Sequence, residues 1–277
     1  MNALDFRRSY RGPLRAVIFD WAGTTVDYGS RAPAGVFCEV FRRHGVEITV
    51  EEVREPMGTH KRVHLERLLA MPAVARRWQA AQGRPSDPHD LDRLFAEFVP
   101  LQLSCLAEHA DLVPGCLETV AAIRGRGLRI GATTGYDAEM MAVLLPEAKR
   151  RGYQPDAAVC GSDVPAGRPA PWMCFENAKR LGTYPMEAMV KVDDTVPGIE
   201  EGRNAGMWTV GVAKTGNELG LSEAEIARLS SAEYAQRIER AYARLAVAGA
   251  HYVVDGIADL LSCLDDIEDR LSRGERP

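Results

Sequence analysis

The chain has few cysteines, and they do not cluster. They stand at positions 38, 105, 116, 160, 174 and 263, and no two form a C-x-x-C pair. That argues against a zinc site and against a dense disulfide framework; reduced, mostly buried thiols are expected instead. No apolar run approaches the roughly 18 residues of a membrane span. Met1 to Arg15 is charged and has no apolar stretch of the kind a secretory leader carries, so none is expected. Basic residues are not in excess either: 34 Lys and Arg against 39 Asp and Glu leave a formal charge of −5. No global positive field is present to hold nucleic acid or an anionic membrane. Internal repeats and low-complexity tracts are absent.

What is present is an ordinary globular composition, 277 residues with 46% apolar and 26% charged, enough for one large domain or two modest ones. Six short apolar runs read as buried strands: Leu14–Phe19, Leu128–Thr133, Ala157–Cys160, Met189–Val192, Trp208–Val212 and His251–Val254. Helix-length amphipathic stretches separate them, at Cys116–Arg126, Asp137–Arg151, Pro169–Leu181 and Pro197–Ala205, with two more at Ser231–Ala248 and Ile257–Leu271. This alternation predicts an α/β fold with a parallel sheet and right-handed crossovers. Between 31 and about 108 the pattern changes. Apolar residues recur at helical spacing (Val36-Phe37-Val40-Phe41, Leu91-Leu94-Phe95-Phe98), and no strand-like run appears. An all-helical insert, 29–108, in a discontinuous core, 1–28 and 109–277, is expected.

Ligands of open parallel sheets bind at the carboxyl ends of the strands, and three polar clusters follow strand runs directly. Asp20 precedes Trp21-Ala22-Gly23-Thr24-Thr25. It suits a nucleophile beside a phosphate-cradling turn, or a helix cap. Thr133-Thr134-Gly135 offers a hydroxyl and backbone N–H for a phosphate oxygen, or a cap for the next helix. Asp193-Asp194 suits a hard cation such as Mg²⁺, or a solvated turn. Arg168 precedes Pro169, which fits a first helical turn, so Arg168 is expected beside a helix N-terminus or simply at the surface. In the insert, Lys61 and His64 are three apart and share a helix face. A solvated charge is the common role of such a lysine; a buried one has a lowered pKa and can form a Schiff base.

In this order and spacing the clusters Phe19-Asp20-Trp21-Ala22-Gly23-Thr24-Thr25, Ala132-Thr133-Thr134-Gly135, Arg168-Pro169 and Val192-Asp193-Asp194-Thr195 resemble the haloacid dehalogenase superfamily. The resemblance implies a Rossmann-like core with an inserted helical cap. Ala22 stands where most phosphatases of that superfamily carry the Asp that protonates a leaving alcohol. Asp20–Tyr28, Met57-Gly58 with Lys61 and His64, Thr133–Tyr136, Asp163–Met173 and Glu201–Val212 resemble its phosphonatase family nearly end to end. One position departs from that pattern: an acidic residue expected four after Asp194 is Gly198.

That resemblance implies hydrolysis of the carbon–phosphorus bond of phosphonoacetaldehyde during 2-aminoethylphosphonate breakdown. Asp20 would be the nucleophile, Lys61 the Schiff-base former and His64 a proton shuttle. Met57, Gly58, Thr134, Gly135, Tyr136 and Arg168 would bind substrate. Mg²⁺ would be held by Asp20, the Ala22 carbonyl and Asp194, with Asp193 in place of the acid missing at Gly198. A cytoplasmic homodimer joined through cap helices is also implied. The alternatives are a superfamily phosphatase on a small phosphate ester, which would need an acid near Ala22, and an inactive binding module, which would predict broken motifs.

Overall fold

The computed structural model describes residues 9–277, so part of the segment read above as lacking a leader lies outside it. The chain opens with strand β1 (Ala16–Phe19), and five helices follow in the insert: α1 (Ala32–Arg43), α2 (Val50–Arg54), α3 (Lys61–Ala70), α4 (Pro72–Gln82) and α5 (Pro88–Leu106). The remainder alternates as α6 (Cys116–Gly125), β2 (Arg129–Thr134), α7 (Ala138–Arg150), β3 (Ala157–Cys160), α8 (Trp172–Leu181), β4 (Met189–Asp193), α9 (Val196–Asn204) and β5 (Trp208–Val212). It closes with α10 (Glu223–Ile226), α11 (Ser231–Val247), β6 (Tyr252–Val254) and α12 (Leu260–Ser272).

All six strands run parallel in the order β3-β2-β1-β4-β5-β6. Every residue of β1 is buried, as both faces of a parallel sheet sandwiched by helices require. Because β1 lies between β2 and β4, residues 20, 134 and 193–194 leave the sheet side by side. The expected strand runs hold to within a residue or two. One expectation is corrected: Pro169 is not in a helical turn. α8 starts only at Trp172, with Pro171 as its N-cap, so the 165–171 segment is a loop. The thiols among the described residues are all unpaired, four of them buried. No helix there is long and apolar enough to cross a membrane.

The apolar faces of the cap helices pack together, Phe37 on Phe98 (ring centroids 4.4 Å) and Phe41 edge-on to Trp78, and this packing is continuous with the apolar core of the sheet. Pro and capping residues set the helix starts. Asp87 and Asp90 exchange backbone N–H bonds around Pro88 at the start of α5. The linker from β1 into the cap holds two non-glycine residues in the left-handed region, Asp27 (φ 55°) and Ser30 (φ 48°). Asp27 is kept there by its own bonds: Oδ2 accepts the Ala32 N–H (3.0 Å) and Oδ1 faces His109 Nδ1 (3.3 Å). Asp27 lies on the way into the cap and His109 on the way out, so the two crossings are fastened together.

Candidate active site

Asp20 is the first residue past β1, and its N–H continues the sheet by donating to the Val192 carbonyl (2.8 Å). Its carboxylate is buried and receives Arg168 Nη2 at 2.5 Å on Oδ1. Arg168 is therefore no surface residue. Its Nε donates to Glu201 Oε2 (2.9 Å), and Nη2 also reaches Thr133 Oγ1 (2.8 Å) and Asp193 Oδ2 (3.2 Å). Beneath it lies Lys191, in the middle of β4 and wholly buried. Lys191 donates to Thr133 Oγ1 (2.6 Å) and Asp193 Oδ2 (2.7 Å). The sequence assigns no site role to Lys191, and Glu201 figures in it only as the start of the Glu201–Val212 segment. A signal existed for Lys191: a cation inside a strand buried on both faces must find partners.

Asp193 and Asp194 point into different surroundings. Asp193 is saturated: besides Lys191 and Arg168, it accepts the Thr195 N–H (3.0 Å) and hydroxyl (2.7 Å). Burial pushes Asp193 upward, but Arg168 and Lys191 outweigh it and hold it below the usual carboxylate range. Asp194 makes no ion pair with any cation among the described residues. It accepts Thr24 Oγ1 (3.0 Å) and the Asn217 N–H (2.7 Å), and burial together with the charges of Asp20 and Asp193 raises it well above that range. Asp20 is raised for the same first reason, burial.

One carboxylate oxygen from each of Asp20, Asp193 and Asp194 falls within 4.8 Å of the others. The buried cluster as a whole, Asp20, Asp193, Asp194 and Glu201 with Arg168 and Lys191, carries a formal excess of two negative charges. Uncompensated buried charge of that size is costly, and a hard divalent cation on oxygen ligands would offset it. The donor set thus fits Mg²⁺.

Gly198 is explained by the same packing. A Cβ there would lie 2.0 Å from the Asp193 carboxyl carbon, so the carboxylate of 193 occupies the space in front of α9. Gly198→Ala should cost about 1–3 kcal/mol by overpacking. A denaturant midpoint equal to that of the parent would show that Asp193 moves aside freely.

Lys61 opens α3 on the cap side and is buried, facing the core. Its Nζ lies 4.7 Å from the Tyr136 ring centroid and 5.8 Å from that of Phe37. Burial brings its pKa down to about 8 against the pull of Asp20, and the N-terminal end of a helix dipole acts in the same direction. His60 is the N-cap of that helix, its Nδ1 accepting the Arg62 N–H (3.3 Å).

Lys61, Asp20, Ala22, Met57, Gly58, Thr134, Gly135, Tyr136 and Arg168 line one small cavity, together with Ser30, Pro33 and Thr195, to which the sequence assigned no binding role. Cap and core touch directly around it. A Cβ on Gly135 would lie 2.6 Å from the Thr59 carbonyl oxygen, so glycine is required for this approach.

Among the residues expected at the site, Asp193, Asp194 and His64 do not line the cavity. The His64 Nε2 donates to the Val53 carbonyl (2.8 Å) and the His64 ring stacks on Phe37 at 3.8 Å. Burial, reinforced by Lys61, keeps it neutral, and its Nδ1 is buried without a partner among the described residues.

A parallel sheet with an acidic cluster at its carboxyl edge and a helical cap inserted after β1 defines a haloacid dehalogenase-like hydrolase. The family model of that description matches residues 14–206. The chain is 55% identical over 270 residues to a phosphonoacetaldehyde hydrolase of Nitratidesulfovibrio vulgaris, covering 98% of this chain and 96% of the relative. It is 47% identical to one of Paraburkholderia xenovorans, over 95% and 99% of the two chains. The crystal structure of a phosphonoacetaldehyde hydrolase-like protein from Oleispira antarctica superposes with a TM-score of 0.96 at 43% identity, over the full length of both. The chain belongs to the phosphonoacetaldehyde hydrolase family within that class.

Proposed function

We propose that this hydrolase cleaves the carbon–phosphorus bond of phosphonoacetaldehyde to acetaldehyde and phosphate, through a Schiff base on Lys61 and a phosphoryl group on Asp20. The observation that carries the reading is the pairing, across one small cavity, of a lysine with a lowered pKa and a buried aspartate, with Ala22 where an acid would be needed to expel an alkoxide. The family relatives support it.

A carbanion is a very poor leaving group, so the electron pair needs a sink. The neutral Lys61 amine adds to the aldehyde and loses water, and the protonated imine is that sink. Asp20 attacks phosphorus and the P–C bond breaks. Its pair becomes the C=C bond of an enamine while the iminium nitrogen is neutralised. Protonation at carbon and hydrolysis of the imine release acetaldehyde and regenerate Lys61. A further water cleaves the aspartyl-phosphate, freeing phosphate and Asp20. The ring faces of Tyr136 and Phe37 favour the cationic imine over its neutral form.

Thr134 and the Gly135 N–H position the phosphonate oxygens, and Met57 and Gly58 close the cavity from the cap side. Arg168, tied to Glu201 and Asp193, fixes Asp20 by its Oδ1 and leaves the other oxygen for attack. His64, on the helix that carries Lys61 but outside the cavity wall, offers only its buried Nδ1, so as a proton shuttle it would act through a neighbour of the imine rather than on substrate directly.

Asp20, Asp194 and the Ala22 carbonyl would hold Mg²⁺, with Asp193 behind them. Bound there, the cation offsets the repulsion between a carboxylate and a phosphonate dianion. The cap, 29–108, and core, 1–28 with 109–277, complete the site only when closed, and we place the family's dimer contact on the cap helices.

Phosphate release from phosphonoacetaldehyde and from ethyl phosphate, each with and without Mg²⁺, tests the reading. Mg²⁺-dependent release from the phosphonate alone is expected. Faster release from ethyl phosphate would favour an ordinary phosphatase.

A further inference from the structure

Arg54, the last residue of α2, sends its guanidinium out of the cap. Nη1 donates to the Gly29 carbonyl in the linker (3.0 Å) and to Asn217 Oδ1 (3.0 Å), and Nη2 to the Gly220 carbonyl (2.7 Å). Asn217 answers by donating its Nδ2 to the Arg54 carbonyl (3.2 Å). The same Asn217 donates its backbone N–H to Asp194 Oδ2 (2.7 Å). One core residue therefore holds the cap arginine with its side chain and the acidic cluster with its backbone.

The loop between them has no slack. A Cβ on Gly216 would lie 2.2 Å from the Asp194 Cβ, and one on Gly220 would lie 2.4 Å from the Arg54 guanidinium. In so tight a stack a displacement at one end has to appear at the other. Asp194 itself is fully buried, so its orientation is set by these contacts and by Thr24 rather than by solvent.

We propose that Arg54 and Asn217 are positioning residues that couple closure of the cap to cation binding at Asp194. When the cap closes, Arg54 seats on the 215–220 loop, and the loop turns the Asp194 carboxylate to the orientation a divalent cation needs. Coupling is reciprocal, so the cation in turn favours the closed cap. The cap would thus report whether the core is charged with its cation. The inference rests on Asp194 being a cation ligand, which Asp194→Asn tests separately.

The measurement is calorimetric titration of the substrate-free protein with MgCl₂ alone, with amide hydrogen exchange of the 27–30 linker in the presence and absence of Mg²⁺. Arg54→Lys, which keeps the charge but loses the fork onto Gly29, Asn217 and Gly220, should weaken Mg²⁺ binding by about fivefold or more. Asn217→Ala, which keeps the N–H toward Asp194 but drops the grip on Arg54, should weaken it in the same direction, and it carries the test if the arginine variant does not fold. In the parent protein Mg²⁺ should slow exchange in the linker; in both variants it should not. Unchanged Mg²⁺ affinity and unchanged linker protection in Asn217→Ala overturn the coupling while leaving the metal reading intact. No Mg²⁺ uptake by the parent protein, or undiminished uptake by Asp194→Asn, removes Asp194 as a ligand, and the coupling falls with it.

Discussion

Lys61→Arg loses phosphonoacetaldehyde turnover by a factor on the order of 10⁴ or more, the scale on which removal of a covalent catalyst is felt. Arginine keeps the positive charge and a cation to lie over Tyr136 and Phe37. It cannot lose a proton to become a nucleophilic amine, so no imine forms and the electrons of the P–C bond have nowhere to go. The variant separates two roles that lysine combines, electrostatic capture of an anion and covalent catalysis. Only the second is expected to vanish.

The pH profile follows from the same group. An ordinary lysine, near pKa 10.5, has a vanishing fraction of free amine at neutral pH. With the pKa lowered to about 8, Lys61 holds several hundredfold more. The amine must be neutral to attack the aldehyde, so kcat/KM should rise with pH and level off above about 8. Steady-state rates across pH 6 to 9.5 check this. A profile flat across that range would mean that the amine is not what limits imine formation.

Asp20→Asn should lose turnover by a comparable factor, on the order of 10⁴ to 10⁶, because the amide oxygen is a poor nucleophile toward phosphorus. The side chain has the same shape, and Lys61 is untouched, so the imine should still form. Borohydride should then fix the whole substrate, phosphonate included, on this variant, whereas the parent enzyme should retain only the two carbons left after cleavage. The stability effect has the opposite sign to the activity effect. Burial raises the Asp20 pKa above its unfolded value, so the ionised form costs stability at neutral pH, and that cost fades as pH falls. Metal-free Asp20→Asn is therefore expected to melt at the same temperature as its parent or higher. A lower melting temperature would show that the Arg168 contact outweighs burial.

Much of this was legible before the structure, for reasons that can be named. Each of the six strands is a short apolar run, and parallel strands buried on both faces leave little else to read. Asp20, Thr134 and Asp193-Asp194 were visible because they end such runs. Lys61 is legible as one of a pair with His64 three apart in a helical insert, and the family resemblance gives it a role; its burial, the property that gives it chemistry, depends on contacts with Tyr136, 75 positions away.

What escaped was of two kinds. Lys191 and Glu201 lie under the site, where their roles rest on contacts across the sheet, although a charge within a strand buried on both faces is itself a signal. Arg54 and Asn217 carry no local signal, because their meaning lies in a contact between residues 163 apart. Pro169 misled in the other direction. Proline is common in a first helical turn, but here it precedes α8 in a loop whose task is to deliver Arg168 to Asp20.

The central claim is that Lys61 carries the substrate. Borohydride added during turnover of phosphonoacetaldehyde, followed by peptide mapping by mass spectrometry, tests it most directly. The account predicts a two-carbon adduct on Lys61 and loss of activity in proportion to its formation. No adduct, or an adduct on Lys191, the other buried amine beside the acidic cluster, would contradict it.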